Sequence, residues 1–267
     1  MKEQLWSNIE RVRSASPLVH NITNFVVMNN TANALLAVGA SPIMAHAHEE
    51  IEEMVGLAGS CVINIGTLDK FWVQSMMSAV VAAKKLKKPW ILDPVGAGAT
   101  SYRNHVISSL IQFDPTVIRG NASEIMSIAY QNTISKGVDS TNQSTEAIEA
   151  ALLLQGQTGA VICISGSRDF IISDQSIVKL SNGHPLMAKV TGMGCTATAI
   201  IGAFCALPDI TPLDATVSAM ALMGVAGEIA AAKASGPGTM QLNFLDALYN
   251  ITMNDFTSRL KISNESI

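Results

Sequence analysis

Apolar residues fall into short continuous runs separated by turn residues and by longer stretches of helical period. Runs at residues 41–44, 61–65, 90–93, 116–119 and 160–165 predict strands. Each is followed by turn residues and then by a helix-like stretch, the alternation that builds β-α units and a mostly parallel sheet. Between Asp169 and Lys189 the period shortens. Residues 170–172, a turn at Asp174-Gln175, and residues 177–180 predict an antiparallel hairpin. From Thr191 to Tyr249 the spacing is helical, broken at Leu207-Pro208-Asp209 and at Ser235-Gly236-Pro237-Gly238. No repeat or low-complexity linker interrupts the pattern, so residues 1–267 are expected to form one α/β domain with a mixed, mostly parallel sheet.

Composition narrows the function classes. The 267 residues are 48% hydrophobic and 14% charged, enough to bury a large core. A net charge of −4 and a pI near 5.7 supply no basic field for a phosphate backbone, so no nucleic-acid partner is expected. Lys84-Lys85-Leu86-Lys87-Lys88 reads as the solvated C-terminal end of a helix. The four cysteines show no paired spacing and suggest neither a disulfide framework nor a zinc site. The N-terminal segment is amphipathic and carries acids, unlike a signal peptide, and a cytoplasmic protein is expected. Of two apolar stretches, residues 196–207 are too short to span a membrane and residues 215–234 contain Glu228, so both are expected as buried helices with no membrane partner.

In parallel α/β sheets ligands bind beyond the carboxyl ends of the strands, which directs attention to the residues after each run. Gly192-Met193-Gly194-Cys195 precedes a helix-compatible run, and its glycines let a backbone with outward-pointing amides pass close to a phosphate. An ordinary turn satisfies the same residues, and the Lys of a Walker A loop is missing. Asp93 ends a strand before a glycine turn, where it suits either Mg²⁺ near phosphates or a plain Asp-Pro turn. Asn121 and Glu124 have capping-box spacing as well as strand-end position, whereas Arg119, ending an apolar strand, calls for an anion. Ser165 and Gly166 close the last long strand, where a hydroxyl and amides can meet a nucleotide or simply turn the chain. His20-Asn21-Ile22-Thr23-Asn24 holds more polar groups than capping the following helix, expected over residues 25–38, requires, and suggests substrate recognition. His46 and His48, beside Glu49 and Glu50, read as a solvated helix start rather than a metal cluster.

Taken together, His20 to Asn24, Ile63-Asn64-Ile65-Gly66-Thr67, Leu92-Asp93-Pro94-Val95-Gly96-Ala97-Gly98, Ile118 to Glu124 and the Gly192 to Cys195 turn closely resemble hydroxyethylthiazole kinase in composition and order. The resemblance spans residues 17–200. It implies a ribokinase-like three-layer α/β/α fold with a mostly parallel sheet and a C-terminal antiparallel hairpin. It also implies transfer of the ATP γ-phosphoryl group to a thiazole alcohol, with Mg²⁺, in a homotrimer with sites at subunit interfaces. By the same resemblance Asn24, Met44 and Gly192 match substrate contacts, and Arg119 and Ser165, with Asn121 and Gly166 beside them, match the ATP site. Asp93 and Glu124 match the surroundings of the phosphates and Mg²⁺, with Gly194 and Cys195 at the reacting group. Met193 stands where the family commonly has a small residue. Related sugar kinases carry Asp where Cys195 stands, as does the dehydratase that repairs hydrated NAD(P)H. A helix N-terminus lowers a thiol's pKa, so Cys195 is expected to be either a modest base or, preferentially, a positioning group. Other alcohol kinases of this fold and a nucleotide sensor without turnover are the rival readings.

Overall fold

The computed structural model describes residues 1–131 and 143–266. Strands β1 (Leu18–Ile22), β2 (Ser41–Ile43), β3 (Ser60–Asn64), β4 (Trp90–Asp93), β5 (Val117–Asn121), β6 (Val161–Ser165), β7 (Asp169–Ile172), β8 (Ser176–Leu180) and β9 (Ile262–Ser266) form one sheet. Its order is β2-β1-β3-β4-β5-β6-β7-β8-β9. The first six strands pair in parallel and the last three antiparallel. Helices are α1 (Lys2–Ala15), α2 (Met28–Val38), α3 (Ile51–Leu57), α4 (Lys70–Leu86), α5 (Ser101–Ile111) and α6 (Ala122–Ala129). They continue with α7 (Gln143–Thr158), α8 (Met193–Cys205), α9 (Pro212–Ala231), α10 (Pro237–Asn250) and α11 (Met253–Arg259).

The expected three layers are present. α1, α2 and α8 to α11 cover one face of the sheet, and α3 to α7 the other. Strand residues alternate between these cores: Val62, Ile91, Val117 and Cys163 point to the α8 face, and Ile63, Leu92, Ile118 and Ile164 to the opposite one. Burying one such side chain is worth about 1.5–3 kcal/mol, and a one-residue slip would expose a whole row, so the register is strongly held. That register pairs Asn64 with Asp93, Arg119 with Cys163, and Asn121 with Ser165.

Three differences from the expected elements have physical reasons. β1 is not predicted because His20 and Asn21 interrupt its apolar run, yet both are buried in the sheet interior. β9 extends the hairpin to three antiparallel strands; its sequence, Ile262-Ser263-Asn264-Glu265-Ser266, has almost no apolar character, and its pairing with β8 makes it a strand. The helix expected from Phe25 begins at Met28, with Val27 as N-cap and no side-chain capping bond, so none of Asn21, Thr23 or Asn24 serves as a cap. α9 is long and apolar enough to cross a membrane, but 78% of its apolar window is buried, which makes it the core helix the sequence predicts.

Candidate active site

The alternation that builds the core also builds the site. Moving two residues along from Val62, Ile91, Val117 and Cys163 reaches Asn64, Asp93, Arg119 and Ser165, so these four polar residues share the α8 face at the carboxyl edge of the sheet. α8 starts at the same edge. Its N-cap is Gly192 at φ 82°, a conformation that glycine adopts without steric cost, and no side chain caps the helix. The first intrahelical bond runs from Thr196 N to Gly192 O, 2.8 Å, so the N–H groups of Met193, Gly194 and Cys195 precede the helical ladder. Gly194 has a different reason to be glycine: a Cβ there would lie 2.5 Å from Arg119 Nη1, so the guanidinium packs directly against the turn.

Hydrogen bonds and one ion pair join these residues into one chain. Asn24 Nδ2 donates to Asn64 Oδ1 (2.8 Å) and to Cys195 Sγ (3.5 Å). Asn64 Nδ2 donates to Asp93 Oδ2 (2.7 Å), which also accepts from Thr198 Oγ1 (2.8 Å). Asp93 Oδ1 is buried without a hydrogen bond and faces Arg119 Nη1 at 3.9 Å. Arg119 Nη2 donates to Ser165 Oγ at the far end. Burial pushes the Asp93 carboxyl up to about 6, against the downward pull of Arg119, Thr198 and Asn64.

Other expected site residues stand beside this chain. Asn121 and Glu124 form a true capping box on α6, with Glu124 N donating to Asn121 Oδ1 (2.9 Å) and Asn121 N to Glu124 Oε2 (2.8 Å). Glu124 Oε1 also accepts from Gly96 N (2.9 Å), so the carboxylate shapes the glycine turn after Asp93, and its charge acts on Asp93. Gly166 N donates to Asp169 Oδ1 (3.0 Å). Met44 is half-buried just past β2, outside the hydrogen-bonded chain. Phe25, 58% exposed, and His46 pack on Trp72, whose indole N–H donates to Thr23 O (3.0 Å). His20 Nε2 meets Ala45 O at 2.8 Å while Nδ1 is buried without a hydrogen bond, and burial lowers its pKa. Among the described residues no group of three or more His, Cys, Asp or Glu could hold a metal.

The family model described as hydroxyethylthiazole kinase family matches residues 9–254. The chain belongs to the hydroxyethylthiazole kinase family. A relative of that name from Syntrophus aciditrophicus is 53% identical over 262 residues, covering 97% of both chains. Another from Leptospira biflexa is 53% identical over 254 residues, covering 95% of both. The solved hydroxyethylthiazole kinase protein from Pyrococcus horikoshii superposes with a TM-score of 0.92 at 41% identity, covering 98% of this chain and 99% of its own. A pyridoxal kinase from Staphylococcus aureus solved with ADP shares the fold, with a TM-score of 0.64 at 13% identity, covering 94% and 99%.

In this kinase the thiol departs from one expectation. Burial pushes Cys195 up to about 11, aided by the Asp93 charge, and outweighs the neighbouring amide donors. The open helix end does not produce a thiolate at neutral pH. Met193 keeps the turn intact, because its side chain is buried in the α8-face core. Sequence reasoning missed three residues. Asn64 carries the strand-end signal that picked out Asp93. Thr198 lies four residues after Gly194, one helical turn along the same face. Arg103 reveals itself only in three dimensions: Nη1 donates to Ile65 O (2.5 Å) and Val95 O (2.8 Å), and Nη2 to Gly66 O (2.8 Å), tying the loops after β3 and β4 together.

Proposed function

We propose that this hydroxyethylthiazole kinase moves the γ-phosphoryl group of ATP to the hydroxyl of 4-methyl-5-(2-hydroxyethyl)thiazole at the N-terminus of α8. The observation that carries this is the link from Asn24 and Cys195, at the open helix end, through Asn64 to Asp93, which faces Arg119. The thiazole lies against Asn24, Gly192 and Met44, with its hydroxyl near Cys195. Arg119 and Ser165, with Asn121 and Gly166 beside them, hold the nucleotide. The amides of Met193, Gly194 and Cys195 receive the oxygens of the moving phosphoryl group, where developing charge meets fixed dipoles.

Phosphoryl transfer passes through a loose transition state, so orientation and charge neutralisation count for more than a strong base. A thiol held near 11 stays protonated at neutral pH, which suits Cys195 to orienting the acceptor hydroxyl while the proton leaves late. Asp93 fits Mg²⁺ through its buried Oδ1, which has no hydrogen bond, with Glu124 contributing charge nearby. One or two carboxylates plus phosphates are the usual protein share of such a site. Bound there, Mg²⁺ would offset charge on the phosphates.

Residues 1–267 act as one kinase domain, a reading supported by a sheet that takes strands from Leu18 to Ser266. We read the assembly as the homotrimer with interface sites that the family resemblance implies; Phe25 and Val26, 58% and 64% exposed beside Asn24, offer apolar surface for such an interface. We place the reaction in the cytoplasm, with neither nucleic acid nor membrane as partner. Light scattering on the purified protein tests the trimer. The function is tested by ADP release from Mg-ATP with the thiazole alcohol, a pyrimidine alcohol and sugars side by side. Release with the thiazole well above the others is expected, and none above background would overturn the assignment.

A further inference from the structure

We propose that Asn64 is a positioning residue that locks the acceptor half of the site to the phosphate half. This rests on the kinase reading for the meaning of the two halves. Asn64 is buried, 1% exposed, and every polar atom of its side chain is engaged. Gly66 N donates to Oδ1 (2.9 Å), and a backbone N–H can only donate, so the amide cannot be turned over. Nδ2 is thereby aimed at Asp93 Oδ2, 2.7 Å away. Asn24 is locked in the same manner: Val26 N donates to its Oδ1 (3.1 Å), which leaves Nδ2 facing Asn64 Oδ1 and Cys195 Sγ.

Two backbone amides therefore set the direction of the entire chain. Cys195 Sγ always meets a donor, which orients the thiol, and Asp93 Oδ2 always meets two, which turns Oδ1 toward Arg119. A loop asparagine closing a local turn would need only the bond to Gly66. The bonds to Asn24 and Asp93, 40 and 29 residues away in sequence, are what join the halves.

Two variants separate the halves. N64D keeps an oxygen facing Gly66 N and Asn24 Nδ2 but replaces the donor to Asp93 with an acceptor. N64A removes all three bonds. Thiazole affinity is measured by calorimetry without nucleotide or metal, kcat at saturating Mg-ATP and thiazole, and folding by thermal melting. N64D is expected to bind thiazole within about threefold of wild type while kcat falls about tenfold or more. N64A is expected to weaken thiazole binding about tenfold as well, since Asn24 loses its fixed partner. In an N24A background N64A should add no further loss of thiazole affinity, because its effect on the acceptor passes through Asn24. Folded N64A with wild-type thiazole affinity and kcat overturns the proposal, and so does a full additional loss in N24A. Should N64A fail to fold, a folded N64D with wild-type kcat overturns it alone. Wild-type protein that does not turn over the thiazole would sink the kinase reading instead.

Discussion

α4 and α8 both begin beyond the carboxyl edge of the sheet, on opposite faces, and their first turns are built in opposite ways. At α4, Asp69 Oδ1 accepts from Phe71 N (2.7 Å) and Trp72 N (3.0 Å), so the helix satisfies its own end. At α8, glycine stands in the capping position, and an arginine guanidinium lies 2.5 Å from where a Cβ on Gly194 would be. A helix end that consumes its own amides contributes to stability. One that leaves them open beside a cation is arranged to receive an anion. The same dipole thus serves folding on one face and chemistry on the other.

The contrast is tested hardest at Gly194. G194A places a methyl group against Arg119, and kcat should fall by about 10²–10³ in steady-state kinetics, with little change in melting temperature. R119K retains charge but loses the planar fork that spans the turn and Ser165. It should cost about tenfold or more in kcat/KM for ATP while thiazole affinity, read by calorimetry, is unchanged. C195A should lose less than about tenfold in kcat, and C195D should retain turnover. Complete loss in both, with folding and ATP binding intact, would return Cys195 to the role of base.

At α4 the expected effect moves from activity to stability. D69A removes a cap worth about 1 kcal/mol and should lower the melting temperature by about 2–4 °C with kcat intact. The smallest effect concerns proton release. With burial holding the thiol near 11 rather than the ordinary 9.0, Cys195 stays protonated throughout the neutral range. The pH profile of kcat should show no inflection from it there. Alkylation of Cys195, the partly exposed cysteine beside three buried ones, should accelerate steadily with pH up to about 11. A plateau near the ordinary thiol value would contradict the buried environment.

Legibility differed among elements for identifiable reasons. β3 to β6 and the hairpin announced themselves because their apolar runs are continuous, and α8 to α10 because proline and glycine mark their ends. β1 escaped because its buried His20 and Asn21 resemble surface residues in sequence, and β9 because pairing with β8, rather than apolar character, makes it a strand. Asp93, Arg119, Ser165 and the glycine turn were visible as strand-end and helix-start chemistry. Asn64 sat unremarked inside a recognised motif, since an asparagine after a strand suits any turn. Arg103 was silent, because its partners are main-chain carbonyls of two separate loops.

The sequence by itself determined the layered α/β architecture, the family and the set of residues worth watching. Periodicity and strand-end chemistry are local properties, and the order of motifs is written along one dimension. Tertiary structure alone decided that Asn64, Asp93, Arg119 and Ser165 share the face of the sheet on which α8 opens, because sheet register and helix placement are set by packing of residues far apart in the chain. It also decided the state of Cys195. Its position at a helix start favours the thiolate, but burial against Asp93 favours the thiol, and only the folded environment establishes which is larger.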